Sequence, residues 1–234
     1  RREVERESGK SALIQVIVVA AIAVGAVFWY WGDVTEKKRV AELAKAAREA
    51  AVGDDAPALL KAKALFEQTG KIEKDERLLA YVAEICAQLV ADYGMKNIVP
   101  EAEKCVDLAR RNNVERAERY AAEAYLLVAK GEAVQAEQLI TRLTNNGIRH
   151  AKILHALSVA LLAQGKAKEA QKAAEEGQKL SSSLVRLPIA QGDALLAQGQ
   201  YAAARNAYRR ALAQNGEHLR ARVAIALADA VSRE

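Results

Sequence analysis

The residues of this sequence that could do chemistry have spacings that suit it poorly. The run at 9–11 (Gly-Lys-Ser) resembles the end of a phosphate-binding loop, but Val4 stands where such a loop needs its upstream glycine. His150 and His155 are five residues apart, which misses the i, i+4 spacing that places two metal ligands on one helical face. His218 is isolated in the sequence. We therefore predict no catalytic residue, no metal site and no bound cofactor.

Charge and cysteine usage point the same way. Cys86 and Cys105 fit no CxxC pattern, so we predict two free thiols and no redox motif. The 35 basic and 30 acidic residues interleave at helical spacing, which is typical of solvated helix faces. A nucleic-acid-binding protein would show a basic stripe with stacking aromatics, and the sequence has none. No small-molecule substrate is predicted; an enzyme with an unrecognised site stays an alternative, and it would need titratable groups converging in one pocket.

The composition favours closely packed helices. Apolar residues make up 51% of the chain and aromatic residues only 5%, so alanine and leucine supply most of the apolar content. The chain has only three prolines, which leaves long stretches free to be helical.

One transmembrane helix is predicted at 12–31. Gln15 is the only polar side chain there, and twenty residues at about 1.5 Å rise span roughly 30 Å, the thickness of a hydrocarbon core. A cleaved signal peptide is the rival interpretation because 21–23 has a small-x-small form, but the apolar run continues well past it. Residues predicted to lie at the membrane interface flank the helix on both sides: Lys10, Trp29, Tyr30 and Trp31.

The orientation of this helix across the membrane cannot be read from the flanking charges alone. Basic residues nearly balance on its two sides, so the positive-inside rule does not decide. A short basic tail that stays inside is simpler than one that crosses, and a large C-terminal domain crosses largely regardless of its charge. We therefore expect the N-terminus in the cytoplasm and the C-terminal domain outside.

A period of 34 residues is the clearest pattern after the apolar segment. Gly131, Gly165 and Gly199 recur at this interval, each between two apolar helical runs, as expected for the left-handed residue that ends a helix. Small residues recur at the same interval in two further sets: Ala136, Ala170 and Ala204, and Ala124, Ser158 and Gly192. Small side chains at these points let the two helices of a hairpin approach closely.

This period resembles that of the tetratricopeptide repeat (TPR) family, whose unit is 34 residues in two antiparallel helices. The best-matching unit has the family's small and aromatic residues at six positions: Gly192, Gly199, Tyr201, Ala204, Tyr208 and Ala211. It departs from the pattern at Pro188, where the family has an aromatic residue, and at Gly216, where the family has a proline. The resemblance implies an all-α fold in which a single N-terminal transmembrane helix is followed by an α-solenoid of TPR-like helical hairpins.

The predicted organisation has five parts. They are a short charged tail at 1–11, the transmembrane helix at 12–31, one or more divergent helical hairpins at 33–82, TPR-like repeats at 83–218 that are clearest at 117–218, and a capping helix at 219–234. Within the divergent part, helices are broken at 53–57, where Asp54 or Asp55 is available as an N-cap.

In the TPR family the first helices of successive units line a concave groove that binds peptides or partner helices. The resemblance places six candidate binding residues in such a groove: Glu118, Tyr125, Lys152, His155, Val159 and Asp193. Apolar positions between them carry over in the same way: Ala121, Val128, Leu162, Val185, Ile189 and Leu196. This mixture suits an amphipathic helix or an extended apolar segment. The Lys, Asn and Arg set with which some members clamp chaperone carboxylate tails is absent, so a carboxylate would be poorly held.

The layout of tail, single span ending in aromatics and degenerate repeats resembles the ancillary TPR subunit of the bacterial Sec translocon. Members of that family are thought to hand exported proteins to periplasmic chaperones. The resemblance implies a scaffold in the bacterial inner membrane with a periplasmic TPR domain, held in the bilayer through 12–31. Its partners would be other proteins, either in a membrane complex or among exported chains. A cytosol-facing receptor that recruits soluble proteins is the alternative.

Overall fold

A computed structural model describes the backbone of residues 2–232 and the side chains of residues 18–232. This part of the chain contains eleven α-helices, two short 3-10 helices and no strand, which confirms the all-α prediction. The chain divides into two compact units, Arg1–Leu43 and Ala44–Glu234.

Helix α1 (Arg2–Ala51) is one continuous helix of 50 residues. Between Val18 and Trp31 its side chains are all exposed, with Trp29 and Trp31 at 74% and 70% exposure. By length and composition the stretch Val18–Ala51 is a candidate membrane span. The predicted interface residue Lys10 and the first residues of the predicted span lie outside the described side chains.

The second unit holds the last turns of α1 and ten further helices. Their bounds are α2 Ala56–Gln68, α3 Glu76–Tyr93, α4 Val99–Arg111, α5 Ala117–Ala129, α6 Ala133–Asn145, α7 Ala151–Ala163, α8 Ala167–Leu180, α9 Arg186–Ala197, α10 Tyr201–Gln214 and α11 Leu219–Val231. Consecutive helices pair as hairpins, and the odd-numbered helices from α3 to α11 also pack on one another. The odd-numbered helices therefore form one layer, which we call the inner face, and the even-numbered helices form the other.

The 34-residue period corresponds to a repeated geometry. Gly131, Gly165 and Gly199 all have left-handed backbone, with φ of 83°, 75° and 73°, so each ends the first helix of a hairpin as predicted. Equivalent glutamines tie successive hairpins together: Gln164 Nε2 donates to the carbonyl of Ala133 at 3.1 Å. Gln198 Nε2 donates in the same way to Ala167, again 31 residues earlier.

Close approach of the two helices in a hairpin follows from small residues. Ala136, Ala170 and Ala204 are fully buried. Ser158 on α7 donates its hydroxyl to the carbonyl of Ala170 on α8 at 2.8 Å. Gly192 lies directly against the ring of Tyr208, with no room for a side chain between them. The predicted small-residue positions are therefore contact points between helices.

The two aspartates in the loop between α1 and α2 have different roles. Asp55 is the N-cap of α2 and accepts a hydrogen bond from the Ala58 amide at 2.9 Å. Asp54 has a left-handed backbone, with φ of 56°, and is only 3% exposed. Because Asp55 does the capping, the Asp54 side chain is free to contact the inner face.

Candidate protein-binding face

The inner face carries one charged residue at the same position of each odd-numbered helix. These residues, which we call the charged ladder, are Glu84, Glu118, Lys152, Arg186 and Arg220, spaced 34 residues apart on α3, α5, α7, α9 and α11. The first two are acidic and the last three are basic. The curvature of the layer brings opposite charges of the ladder together from helices that are far apart in the sequence.

Arg186 lies at the centre of this arrangement and is only 4% exposed. Its Nη2 atom donates to Glu84 Oε1 at 2.5 Å, and its Nη1 atom donates to the side-chain oxygen of Gln88. The Asp54 carboxylate lies 3.6 Å from Nη1 and accepts the Arg186 backbone N–H at 2.9 Å. Burial lowers the pKa of Arg186, but Tyr125, Asp54 and Glu84 together raise it well above its usual range. The guanidinium is therefore a permanent, compensated charge inside the protein.

Lys152 joins the two acidic members of the ladder. Its Nζ atom lies 2.6 Å from Glu84 Oε2 and 3.3 Å from Glu118 Oε1, and it also lies 4.9 Å from the ring centroid of Tyr81. Burial opposes the ionisation of Glu84, but Lys152 and Arg186 hold its pKa below the usual value. The same acids raise the pKa of Lys152 although burial opposes this. These side chains form one ionic network, and Glu84, Lys152 and Arg186 also line a cavity of about 240 Å³.

The loop at 53–55 occupies the same part of the inner face. The carbonyl of Asp54 accepts the Tyr93 hydroxyl at 2.8 Å and lies 3.1 Å from His218 Nε2. The amide of Asn215 donates to the carbonyl of Gly53 at 2.7 Å. The loop therefore connects α3 with the turn before α11, and Asp54 lines the same cavity as Arg186.

A second part of the inner face is open. A cavity of about 270 Å³ lies at the carboxyl ends of α3, α5 and α7 and extends to α9 and α11. We call it the end cavity; its lining residues used below are Asp92, Val128, His155, Val159, Leu162, Asp193 and Arg220. Arg220 bridges two acids here, at 3.4 Å from Asp92 Oδ1 and 2.5 Å from Asp193 Oδ2. The hydroxyl of Tyr208 donates to Asp193 Oδ1 at 2.8 Å.

The structure places five of the six predicted groove residues in these two parts of the inner face and buries the sixth. Val159, Asp193 and His155 line the end cavity, whereas Glu118 and Lys152 belong to the charged ladder. Tyr125 is fully buried, and its hydroxyl lies 2.7 Å from His155 Nδ1. Burial, with Arg186 and Arg220 nearby, holds the pKa of His155 well below its usual value, so the ring is neutral. That these residues bind a partner stays a prediction.

Sequence reasoning missed three members of the charged ladder, although the signal was present. Adding 34 to Lys152 gives Arg186 and then Arg220, and subtracting 34 from Glu118 gives Glu84. The repeat phase carried over from the family placed Val185 at this position, one residue too early. Val185 is 2% exposed and packs in the apolar core instead.

The chemistry available elsewhere is limited. Among the residues with described side chains, no group of three or more His, Cys, Asp and Glu is placed to hold a metal ion. Cys86 and Cys105 are free and buried. Burial raises the pKa of both thiols, that of Cys105 to about 11. Both cysteines therefore lack the thiolate character of reactive residues.

Comparison with known proteins bears on the fold. No protein-family model matches the sequence, and no curated protein is significantly similar to it. Among solved structures, the chain is similar to the crystal structure of TTC0263, a thermophilic TPR protein in Thermus thermophilus. The match covers 82% of this chain and 98% of that chain, with a TM-score of 0.61 and 18% sequence identity. At this identity the similarity is one of fold.

Proposed function

From the TPR fold of this chain we propose that it is a non-enzymatic, membrane-anchored scaffold that binds other proteins on its inner face. The observation that carries the proposal is the end cavity, which lies open on the layer that repeat proteins of this type use for binding. Its walls combine apolar side chains with a few charged groups, as protein-binding surfaces commonly do.

Anchoring is supported by α1. Its apolar side chains from Val18 to Trp31 are exposed, and a helix satisfies all of its own backbone hydrogen bonds, so lipid is a suitable surrounding for this stretch. The clustered rings of Trp29, Tyr30 and Trp31, and Lys10 at the other end, suit the two headgroup boundaries. We propose a single pass through a bacterial inner membrane with the TPR domain in the periplasm, as an accessory subunit of a membrane complex or a chaperone-like factor for exported proteins.

The orientation is tested by introducing a cysteine at Ser182, which is exposed. The native cysteines are buried, so they contribute little background. A membrane-impermeant maleimide should label Ser182→Cys in intact spheroplasts and should leave the parent protein unlabelled. Labelling that requires permeabilisation of the inner membrane would refute the periplasmic orientation and favour the cytosol-facing receptor.

The binding function is tested by photo-cross-linking in cells. A benzophenone amino acid replaces Val128 in the end cavity or, as a matched control, the exposed Asp107 on α4. We expect a discrete cross-linked protein from position 128 that position 107 does not give. An adduct with subunits of one membrane complex would support an accessory subunit, and adducts with many exported proteins would support a chaperone-like factor. Equal cross-linking from both positions would contradict binding on the inner face.

A further inference from the structure

The end cavity has an excess of negative charge. Asp92 and Asp193 share a single cation, Arg220, and the neutral His155 adds no charge. Asp193 is satisfied by Arg220 and by the Tyr208 hydroxyl. The two carboxylates therefore share one directly paired guanidinium.

Asp92 has fewer partners than Asp193. Its side chain is only 3% exposed, and its Oδ2 atom accepts no hydrogen bond from any described residue. Arg220 and Gln88 favour the charged form of Asp92, and so does Arg186, which makes no ion pair with it. Burial outweighs this help and raises the pKa of Asp92. A buried acceptor without a donor is costly, so a donor from outside the chain would be stabilised here.

Helix ends add to the negative potential at the cavity. Asp92, Val128 and Leu162 belong to the last turns of α3, α5 and α7, and all three line the cavity. The carboxyl end of a helix carries a partial negative charge, which favours a cation within its last turn. The carboxyl ends of α3, α5 and α7 meet at this cavity. Their partial negative charges add to those of the two aspartates.

The size and the apolar walls of the cavity suit one kind of cation better than another. At about 270 Å³ it is smaller than the roughly 300–1,000 Å³ of pockets that enclose whole small-molecule ligands. Val128, Val159 and Leu162 supply apolar walls, which suit the methylene stem of a long basic side chain while its charged end reaches a carboxylate. The remainder of such a ligand has to lie outside the cavity, along the inner face.

We propose that the end cavity binds a lysine or arginine side chain presented by a segment of a partner protein, with Asp92 as the acceptor. This inference rests on the proposed scaffold function and names the chemistry of its partner. The cavity lies at the carboxyl ends of α3, α5 and α7, so the segment enters there.

The experiment uses the full chain in detergent micelles and short fluorescent peptides that differ at one central position. The peptides carry lysine, its uncharged isostere norleucine, or glutamate there, and binding is measured by fluorescence polarisation. We expect the lysine peptide to bind at least about tenfold more tightly than the norleucine peptide, since a charge-assisted hydrogen bond is gained. Asp92→Asn should abolish this preference, whereas Asp107→Asn, on an exposed residue of α4, should leave it intact.

Each other outcome has a defined meaning. Equal binding of the lysine and norleucine peptides, or a preference that survives Asp92→Asn, would overturn the basic-side-chain proposal and leave the scaffold function standing. Absence of binding by every peptide would overturn the basic-side-chain proposal, and if position 128 also gave no adduct in cells the scaffold function would fall with it. Thermal unfolding followed by circular dichroism checks the fold of each variant. Should Asp92→Asn not fold, Val159→Phe fills the cavity without changing its charges and is expected to weaken the lysine peptide.

Discussion

Arg186 Nη2 lies 2.5 Å from Glu84 Oε1, although 102 residues separate the two in the sequence. The pair joins α3 to α9, and two hairpins, α5–α6 and α7–α8, lie between these helices in the sequence. Both side chains are almost fully buried, at 5% and 3% exposure. Such a pair is expensive to dehydrate, so each of the two charges needs the other to stay buried.

Replacing Arg186 with methionine should destabilise the protein strongly. The change leaves the carboxylates of Glu84 and Asp54 buried without their main counter-charge, which costs about 3–5 kcal/mol in comparable pairs. The free energy of unfolding is measured by urea denaturation of the full chain in micelles. Adding Glu84→Gln to the variant should recover part of the loss, because one of the stranded charges is removed.

The matched control for that variant is Arg149→Ala. Arg149 forms an ion pair with Glu176 at 2.8 Å, but both side chains are about half exposed. Exposed pairs contribute about 0–1 kcal/mol, so this change should be nearly neutral. Equal losses for the two variants would show that the buried pair has no special role.

Gly192→Ala should destabilise the last repeat. A Cβ atom at this position would overlap Tyr208 Cε1, and the buried ring has little room to move. Overpacking of this kind costs about 1–3 kcal/mol. Gly216→Ala is the control, because its Cβ would meet only the Leu212 carbonyl at 3.8 Å. The melting temperature should fall for the first variant and stay close to the parent value for the second.

Asp54→Gly should release the loop at 53–55 from the inner face. The change keeps the left-handed backbone accessible but removes the acceptor of the Arg186 amide. We expect a loss of about 1–3 kcal/mol and faster hydrogen exchange at that amide. Asp55→Ala removes only the N-cap of α2, so it should lower stability by about 1 kcal/mol without changing exchange at Arg186. Unchanged exchange in Asp54→Gly would contradict the assigned contact.

His155 should make stability depend on pH. Its pKa in the folded protein lies well below the usual 6.5, so below pH 6.5 the unfolded chain binds a proton that the folded chain does not. The contribution of the neutral His155 ring to the free energy of unfolding is therefore fully present above pH 6.5. As the pH falls below 6.5, this contribution is lost by about 1.4 kcal/mol for each pH unit. The raised pKa values of Asp54 and Asp92 act in the opposite direction.

Comparison with His155→Gln isolates the histidine, because the two aspartates are common to both proteins. The difference in unfolding free energy between the parent and the variant should become steadily less favourable to the parent from pH 6.5 to pH 5. A difference that does not change with pH would show that His155 takes up a proton as readily in the folded protein as in the unfolded chain, which would contradict the lowered pKa.

The sequence predicted the architecture because its determinants are local. The turn glycines at 131, 165 and 199 and the buried alanines at 136, 170 and 204 act within one hairpin or between neighbours, so a fixed interval in the sequence is a fixed contact in space. The apolar segment at the N-terminus is likewise a property of composition and length. The all-α fold and the repeat type could be derived from these features alone.

The candidate site was predicted only in part. Val159 and Asp193 were placed on the inner face from their repeat position, and both line the end cavity. Tyr125 was placed there too, but it is buried under the layer. Repeat position alone assigns a residue to a face of its helix, whereas its exposure depends on how tightly neighbouring repeats curve around it.

That curvature is what the tertiary structure decided. Small rotations between successive hairpins add up, so that Arg220 reaches Asp92 and Arg186 reaches Glu84, pairs that no short-range pattern connects. The same summation brings Asn215 to the carbonyl of Gly53, 162 residues away. The sequence by itself determined the helices, their pairing and the charge at each ladder position. Which of those charges meet, and which carboxylate is left without a partner, depended on the sum of all the rotations between repeats.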